Sequence, residues 1–507
     1  MEEIFRDKLV REIIRKTRTI WAIGHAMSLM GWDLETYMPR KAISDRSTAF
    51  EELSALQRKL ILDPELVRLV EKAEENTDGM NDYEKGVVRV VSRTIRIAKS
   101  LPEELVRREA KITSQATVVW AEAKKKNSYE EFKPYLREII GIVKEKAEKL
   151  GYEEHPYDAL LDLYEEGLRT KDVEAVFSEL VPETRRILRT IERRGFYPQE
   201  HELEKVEYRK SDAAKLLEKL LDDLEWPWER GRLDVSPHPF TVNMGTDDVR
   251  ITVRYEGVDV KRAVYALIHE YGHALYELQI DPSLKYTPLQ GGASLGVHES
   301  QSRFWENILG RSPWAVKWLK NRMDSYLGYT AKFSLVEVYR YVNTVRPSLI
   351  RVDADEVTYN LHIYLRFILE KMMLEETINV DELPVEWDNK MEELLGVRPK
   401  NYSEGVLQDI HWSHGSIGYF PTYTLGNLIS AAIKTKITQE KPGILENFSL
   451  KEVREWLRDN IHKWGKTYEP KKLLELKLGY RLSPKPLVRY LEWKYIELPN
   501  KLEEILV

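Results

Sequence analysis

Cysteine is absent from the 507 residues. That excludes a disulfide framework, a thiol nucleophile and thiolate-held metal clusters. Any bound metal must rest on His, Asp or Glu. Glutamine is scarce, with eight in the whole chain. An excess of one charge is also missing: 78 basic residues face 84 acidic ones, for a formal net charge of -6. Bulk electrostatics therefore offers no pull toward nucleic acid or an anionic membrane surface. No long apolar run exists either. The longest stretch without Asp, Glu, Lys or Arg, Ile410 to Ile433, is broken by His411, Ser413, His414, Pro421 and Asn427, which makes a poor membrane span. The first residues, Met1, Glu2, Glu3, Ile4, Phe5, Arg6, put acids where a secretory leader needs bases. A cytoplasmic protein is the expectation.

What is present is a globular composition, 42% hydrophobic and 32% charged. Few Cys and Gln beside abundant Lys, Arg and Glu follow the thermophile trend. The length would suit about three average domains, yet no Gly/Ser/Pro linker divides the chain. The reading is one mainly α-helical body, 1–507, with a helical part (1–225) and a part carrying the chemistry (226–507). Three- and four-residue apolar spacing marks helices such as Glu103 to Lys111 and Phe132 to Leu150. Pro64, Pro102, Pro134 and Pro156 are placed at helix starts. The Lys124 to Lys126 run reads as a solvated helix face. Between Glu225 and Gly257 the texture changes, and Val249, Ile251, Val253 and Tyr255 alternate with polar residues as in a strand. Such a strand serves either as an exposed edge that pairs with an extended peptide or as an ordinary structural element; composition leaves both open. A helix is predicted from about Val260 to Gln279. More helices follow, interrupted by a Gly- and aromatic-rich loop near Gly415 to Gly426.

The predicted helix carries His269-Glu270-Tyr271-Gly272-His273. Histidines at i and i+4 share one helical face at a separation suited to one ion, and the intervening Glu can reach a water on it. A random chain of this composition would carry about 0.03 such matches. Zinc needs a third protein ligand. Glu299, 26 residues beyond His273 and opening another apolar-periodic segment, is favoured; His298 is its competitor, better suited to orienting a ligand. Two His, one Glu and a water form an open catalytic site rather than a closed structural one. The ion lowers the pKa of its water to roughly 7 and polarises a peptide carbonyl. Glu270 takes the proton and returns it to the leaving amine.

Six short motifs extend this reading: His238-Pro239-Phe240, Asp248-x-Arg250-x-Thr252, His269-Glu270-x-x-His273, His298-Glu299-Ser300-Gln301, Ile350-Arg351-x-x-Ala354-Asp355 and Gly405-x-x-Gln408-Asp409-x-His411-Trp412. In this order they resemble the carboxypeptidase Taq family of thermostable metallocarboxypeptidases, its archaeal Pyrococcus-like members above all. One departure is Val253, where a second Thr is expected. The resemblance implies a saddle-like helical body with a deep groove and a small sheet beside the metal, similar to neurolysin and angiotensin-converting enzyme. It implies one Zn2+ per subunit, with Co2+ able to support activity, and a homodimer. It also implies release of single residues from peptide C-termini with broad preference, poor on C-terminal Pro. Arg351 is the expected anchor for the substrate carboxylate, since a guanidinium meets a carboxylate bidentately; Arg250 is its rival. His411, Tyr423 and His238 are further substrate-binding candidates, and Gln408 and Asp409 are expected to orient others. An endopeptidase on the same metal core stays open; a cation at the groove's closed end would separate the two.

Overall fold

The computed structural model describes residues 4–506. Of the acidic start read above, Met1, Glu2 and Glu3 lie outside the described residues. Helix dominates. The first part of the chain folds as α1 (Lys8–Thr36), α2 (Ile43–Ile61), α3 (Pro64–Glu74), α4 (Asp82–Ser100), α5 (Glu103–Lys126), α6 (Tyr129–Leu150), α7 (Pro156–Tyr164), α8 (Thr170–Arg194) and α9 (Lys210–Asp223). Pro64 and Pro156 stand at first helical positions and Pro102 caps α5. Pro134 does not start a helix. It lies inside α6, because Tyr129 and Phe132 already bury one face and extend the helix backwards. Lys124 is no free surface cation either: its Nζ donates to the Gln408 carbonyl at 2.8 Å and lies over the Trp120 ring.

A three-stranded sheet follows, β1 (Gly231–Val235), β2 (Thr241–Gly245) and β3 (Asp248–Val253), in the order β1-β3-β2. β3 pairs parallel with β1 and antiparallel with β2. It is therefore the central strand, and the idea of β3 as an open edge is corrected. Val249, Ile251, Thr252 and Val253 are wholly buried, and both rows of main-chain groups are taken by neighbours. The edge beside the next helix is β2.

The rest is helical again: α10 (Val260–Leu278), α11 (Leu295–Arg303), α12 (Pro313–Tyr326), α13 (Leu335–Val342), α14 (Tyr359–Leu374), α15 (Leu383–Leu395), α16 (Pro421–Glu440), α17 (Leu450–Asn460), α18 (Pro470–Leu478), α19 (Lys485–Glu492) and α20 (Leu502–Leu506). The expected loop at Gly415 to Gly426 is shorter than read. Pro421 starts α16, so Tyr423 and Gly426 are helical. One large apolar core runs from α5 to α20 and includes β3, α10 and α16. A smaller one joins α1, α3 and α4 to Ile280, Leu284 and Leu289. No described helix is long and apolar enough to cross a membrane.

Candidate metal centre

Two helices bring the donors together, and two glycines let them approach. A Cβ on Gly272 of α10 would lie 2.6 Å from the Gln301 carbonyl oxygen and 2.7 Å from Ser302 Cα of α11. A Cβ on Gly426 of α16 would lie 2.4 Å from Glu299 Cγ. Glycine at these positions allows α11 to lie in direct backbone contact between α10 and α16. Ser294 caps α11 through the Val297 N–H, and the buried Glu165 carboxylate accepts from Ser294 Oγ and Gly296 N, each at 2.9 Å. After Arg303 the helix continues as a π-helical turn, Phe304–Leu309. That widening carries Glu306 across to α10, a use to which such turns are commonly put.

His269, His273 and Glu299 offer ligand atoms that all lie within 4.8 Å of one another. Glu299 Oε2 is 3.3 Å from His273 Nε2 and 3.7 Å from His269 Nε2. Ligands about 2.0–2.1 Å from a tetrahedral ion sit roughly 3.3 Å apart, so the donor set fits a divalent metal. The far nitrogens support the same assignment. His269 Nδ1 faces Glu306 Oε2 at 2.9 Å. His273 Nδ1 faces His298 Nδ1 at 2.7 Å, and His298 Nε2 faces Glu277 Oε1 at 2.7 Å. With Glu277 anionic, its partner is His298 Nε2–H, which leaves His298 Nδ1 to accept from His273 Nδ1–H. Both Nε2 lone pairs are thereby turned to the common centre. Glu277 is fixed in turn by Gly292 N (3.0 Å) and by the Asn243 amide of β2. His298 thus stands behind His273, bonded to it, and not among the three clustered donor atoms.

The electrostatics are those of a buried charged cluster. Burial works to raise Glu299, but Arg303, His269 and His273 overcome it and hold it well below the usual carboxylate range. Arg303 Nε donates to Glu299 Oε1 at 2.7 Å, leaving Oε2 for the centre. Glu306 is likewise pushed up by burial and drawn down to about 2 by Arg303, His269 and Arg311. Burial pushes His273 down to about 4, which keeps its imidazole neutral. Glu270 differs from the other acids. Burial raises it, only partly offset by His269 and by the Thr241 hydroxyl, which donates to Glu270 Oε2 at 2.6 Å.

The other candidates fall into two groups. Arg351, Gln408, Asp409, His411 and Tyr423 come together. Arg351 is buried; its Nε donates to Asp409 Oδ1 at 2.9 Å and its Nη1 to Tyr359 Oη at 3.0 Å, and its guanidinium lies 5.1 Å from the Tyr423 ring centroid. The Tyr359 ring also receives the Arg303 guanidinium at 4.4 Å, so one tyrosine links this group to the donors. Gln408 Oε1 accepts from Arg351 N and Arg366 Nη2, and Asp409 sits between the two arginines. His411 Nε2 is 3.2 Å from Tyr423 Oη, and burial pushes the imidazole down to about 3. Arg250 and His238 stand apart from it. Arg250 holds Asp248 with two hydrogen bonds and stacks on Trp32 at 4.3 Å. His238 is exposed, and its carbonyl accepts from Ser236 Oγ.

Several functional neighbours escaped the sequence reading. Glu277 and Arg303 carried a usable signal, each four residues beyond a candidate ligand and so on the same helical face. Glu306 carried none, because the π turn breaks the period. Thr241, Tyr359 and Arg366 arrive from other elements.

A helical fold that closes two histidines and a glutamate around one point, with a buried carboxylate beside them, defines a metal-dependent peptide hydrolase. The comparisons narrow the class. The family description "Carboxypeptidase Taq (M32) metallopeptidase" matches residues 12–495. Thermostable carboxypeptidase 1 of Pyrococcus furiosus is 49% identical over 500 residues, 98% of this chain and 100% of that protein. Carboxypeptidase 1 of Bacillus subtilis is 34% identical, covering 96% of this chain and 98% of that one. The solved Pyrococcus furiosus carboxypeptidase superposes with a TM-score of 0.95 at 48% identity, over 97% of this chain and 100% of that one. The chain belongs to the carboxypeptidase Taq (M32) family of metallocarboxypeptidases.

Proposed function

We propose that the chain removes single residues from the free C-termini of peptides, with broad side-chain preference and poor action on C-terminal proline. His269, His273 and Glu299 would hold one Zn2+ per subunit, which Co2+ can replace. The observation that carries this is the convergence of three donor atoms within 4.8 Å beside a buried carboxylate, Glu270. When bound, the ion supplies Lewis acidity at the peptide carbonyl and acidifies a water. Glu270 removes that water's proton and passes it to the leaving amine; burial keeps its basicity high enough for both steps. The Thr241 hydroxyl fixes which Glu270 oxygen is free, since Oε2 accepts from it. Tyr423 and His411 stand as donors to the developing oxyanion.

Arg351 would anchor the terminal carboxylate. Asp409 and Tyr359 occupy three of the five guanidinium N–H groups, and two parallel N–H groups suffice for a bidentate contact. Arg250 is the weaker anchor, being committed to Asp248 and Trp32. Gln408 and Asp409 orient Arg351. The two chain parts would act as one groove-bearing unit, supported by bonds such as Trp120 Nε1 to the Leu407 carbonyl and Tyr157 Oη to Glu370. Homodimerisation, a cytoplasmic location and thermostability complete the reading; the names of the Pyrococcus furiosus and Thermus thermophilus relatives include "thermostable".

The test is one peptide with a free or an amidated C-terminus, its products followed over time. A ladder shortening from the free C-terminus and little action on the amide is expected. Equal cleavage of the amide would remove Arg351 as an anchor and favour an endopeptidase.

A further inference from the structure

α11 is covered on every side but one. Six of its nine residues are buried, Gly296, Val297, Glu299, Ser300, Gln301 and Ser302; Leu295, His298 and Arg303 keep part of their surface open. Leu295, Glu299 and Arg303 follow one another at four-residue spacing and so form one stripe along the helix. Its two charged members belong to the metal centre: Arg303 Nε donates to Glu299 Oε1, and Glu299 Oε2 faces His273 Nε2. Leu295 shares their face and is 38% exposed. It stands one helical turn, about 6 Å, from Glu299, and so borders the space over the donors. The neighbouring wall is aromatic. The Glu165 carboxylate holds Ser294 and Gly296, on either side of Leu295. Tyr164, next to it in the chain, packs edge-on against Tyr419, with 5.2 Å between ring centroids. Tyr419 lies 5.3 Å from His411 and 5.4 Å from Tyr423; burial pushes its phenol up to about 12, and the Glu299 charge adds to the rise. A row of partly exposed rings thus runs from the Arg351 group past the donors to Tyr164.

The stripe also fixes which part of a peptide reaches Leu295. The Arg303 guanidinium lies 4.4 Å from the Tyr359 ring centroid, and Tyr359 Oη accepts from Arg351 Nη1. Arg351 therefore stands off the C-terminal end of the stripe, the donors at its middle and Leu295 at its N-terminal end. α10 shows the same order in reverse: Glu306 faces His269, while His298 faces His273 and Glu277, one and two turns further along. A peptide with its terminal carboxylate on Arg351 and its last peptide carbonyl at the donors continues toward Leu295. A leucine has no hydrogen bond to offer there, so it favours a substrate side chain that also gains by leaving water.

We propose that Leu295, with Tyr419 and Tyr164, forms an apolar subsite for the side chain of one of the two residues preceding the scissile bond. This rests on the carboxypeptidase reading with Arg351 as anchor. The metal-loaded enzyme is assayed on peptides matched except for Leu or Asn, side chains of similar shape, at each of those two positions. At one of them the wild type should favour Leu by about five- to thirtyfold in kcat/KM. L295N should bring that ratio close to one, chiefly by slowing the Leu peptide. L295M should keep the wild-type ratio, and L295K should favour Asp over Leu at the same position. Metal content after dialysis should be the same in all of them. A Leu/Asn ratio equal in wild type and L295N overturns the proposal. So does an L295N loss that is equal for both peptides or comes with loss of metal, since Leu295 would then act only through α11 and Glu299. A wild type that releases no C-terminal residue from any of these peptides overturns the carboxypeptidase reading itself; the two preceding outcomes leave that reading standing.

Discussion

Glu270 and Glu306 are both buried carboxylates beside His269, and their surroundings give them opposite characters. Glu270 has no arginine against it, so burial keeps its proton affinity high. Glu306 has two, Arg303 and Arg311, and stays ionised as the acceptor for His269 Nδ1. Glu270→Gln retains an oxygen for the Thr241 hydroxyl but cannot take a proton. Metal content after dialysis should be unchanged while kcat falls by about 10²- to 10⁴-fold; turnover within tenfold of wild type would contradict the assignment. Glu306→Ala leaves His269 without an acceptor and two buried arginines without a carboxylate. Its metal affinity, measured by competition with a chromogenic chelator, should fall about 10- to 100-fold. The two variants therefore separate chemistry from metal retention.

Among the elements, the contact between α10, α11 and α16 sets where Glu299 stands. Gly272 and Gly426 meet backbone or the stem of Glu299 itself, so neither neighbour can swing aside. Gly272→Ala and Gly426→Ala should each cost about 1–3 kcal/mol or more in unfolding free energy and also weaken metal binding. Gly141→Ala is the control. It lies inside α6, a Cβ there meets nothing within 4 Å, and the change should be neutral or stabilising by up to about 1 kcal/mol. Equal losses in all three would remove the packing argument. The same elements show how far the sequence could be read. α10 was placed within a residue of its observed end, because nineteen helical residues with a continuous apolar face leave one period to choose. β3 was found by its alternation. Its central place was not, since strand order depends on pairing with β1 and β2, which lie just upstream but leave no strand signal of their own. β1 and β2, five residues each, are too short to show a period. The two histidines were legible because their spacing is local, whereas Glu299 lies 26 residues further on and was favoured over its neighbour His298 as the third donor. The Arg351–Tyr359–Arg303 link and the Glu306 contact were not, being made by tertiary approach and by a π turn.

At the scale of the whole molecule, buried carboxylates give stability a definite pH profile. Glu204 joins the start of α10 to the Arg346 segment. Burial pushes its pKa up, but Lys261 and Arg346 bring it down from 4.5 to about 2. A carboxylate depressed on folding contributes stability above its unfolded pKa, and that stability is lost as pH falls from 4.5 toward 2. Burial also drives Lys261 toward its neutral form, so the pair contributes less than the carboxylate alone would suggest. Glu165 and Glu370 act in the opposite sense. Burial raises each from 4.5 to about 7, only partly offset for Glu165 by Gly296 and Ser294, and for Glu370 by Tyr157, Gly418 and Trp412. Their contribution is full below pH 4.5 and is lost as pH rises to 7, at most roughly 3 kcal/mol each. Buried imidazoles held below their usual range, His411 and His462 among them, act against this trend as pH falls below 6.5, so the share of one carboxylate is read from the difference between a variant and wild type. Glu165→Gln can still accept the Gly296 N–H and donate to Ser294 Oγ, but it cannot ionise. Across pH 4–8, the thermal midpoint of metal-loaded Glu165→Gln relative to that of wild type should therefore rise between pH 4.5 and 7. Below pH 4.5 the two curves should run parallel, because Glu204 is intact in both. Parallel curves across the upper range as well would mean that Glu165 does not change its protonation on folding.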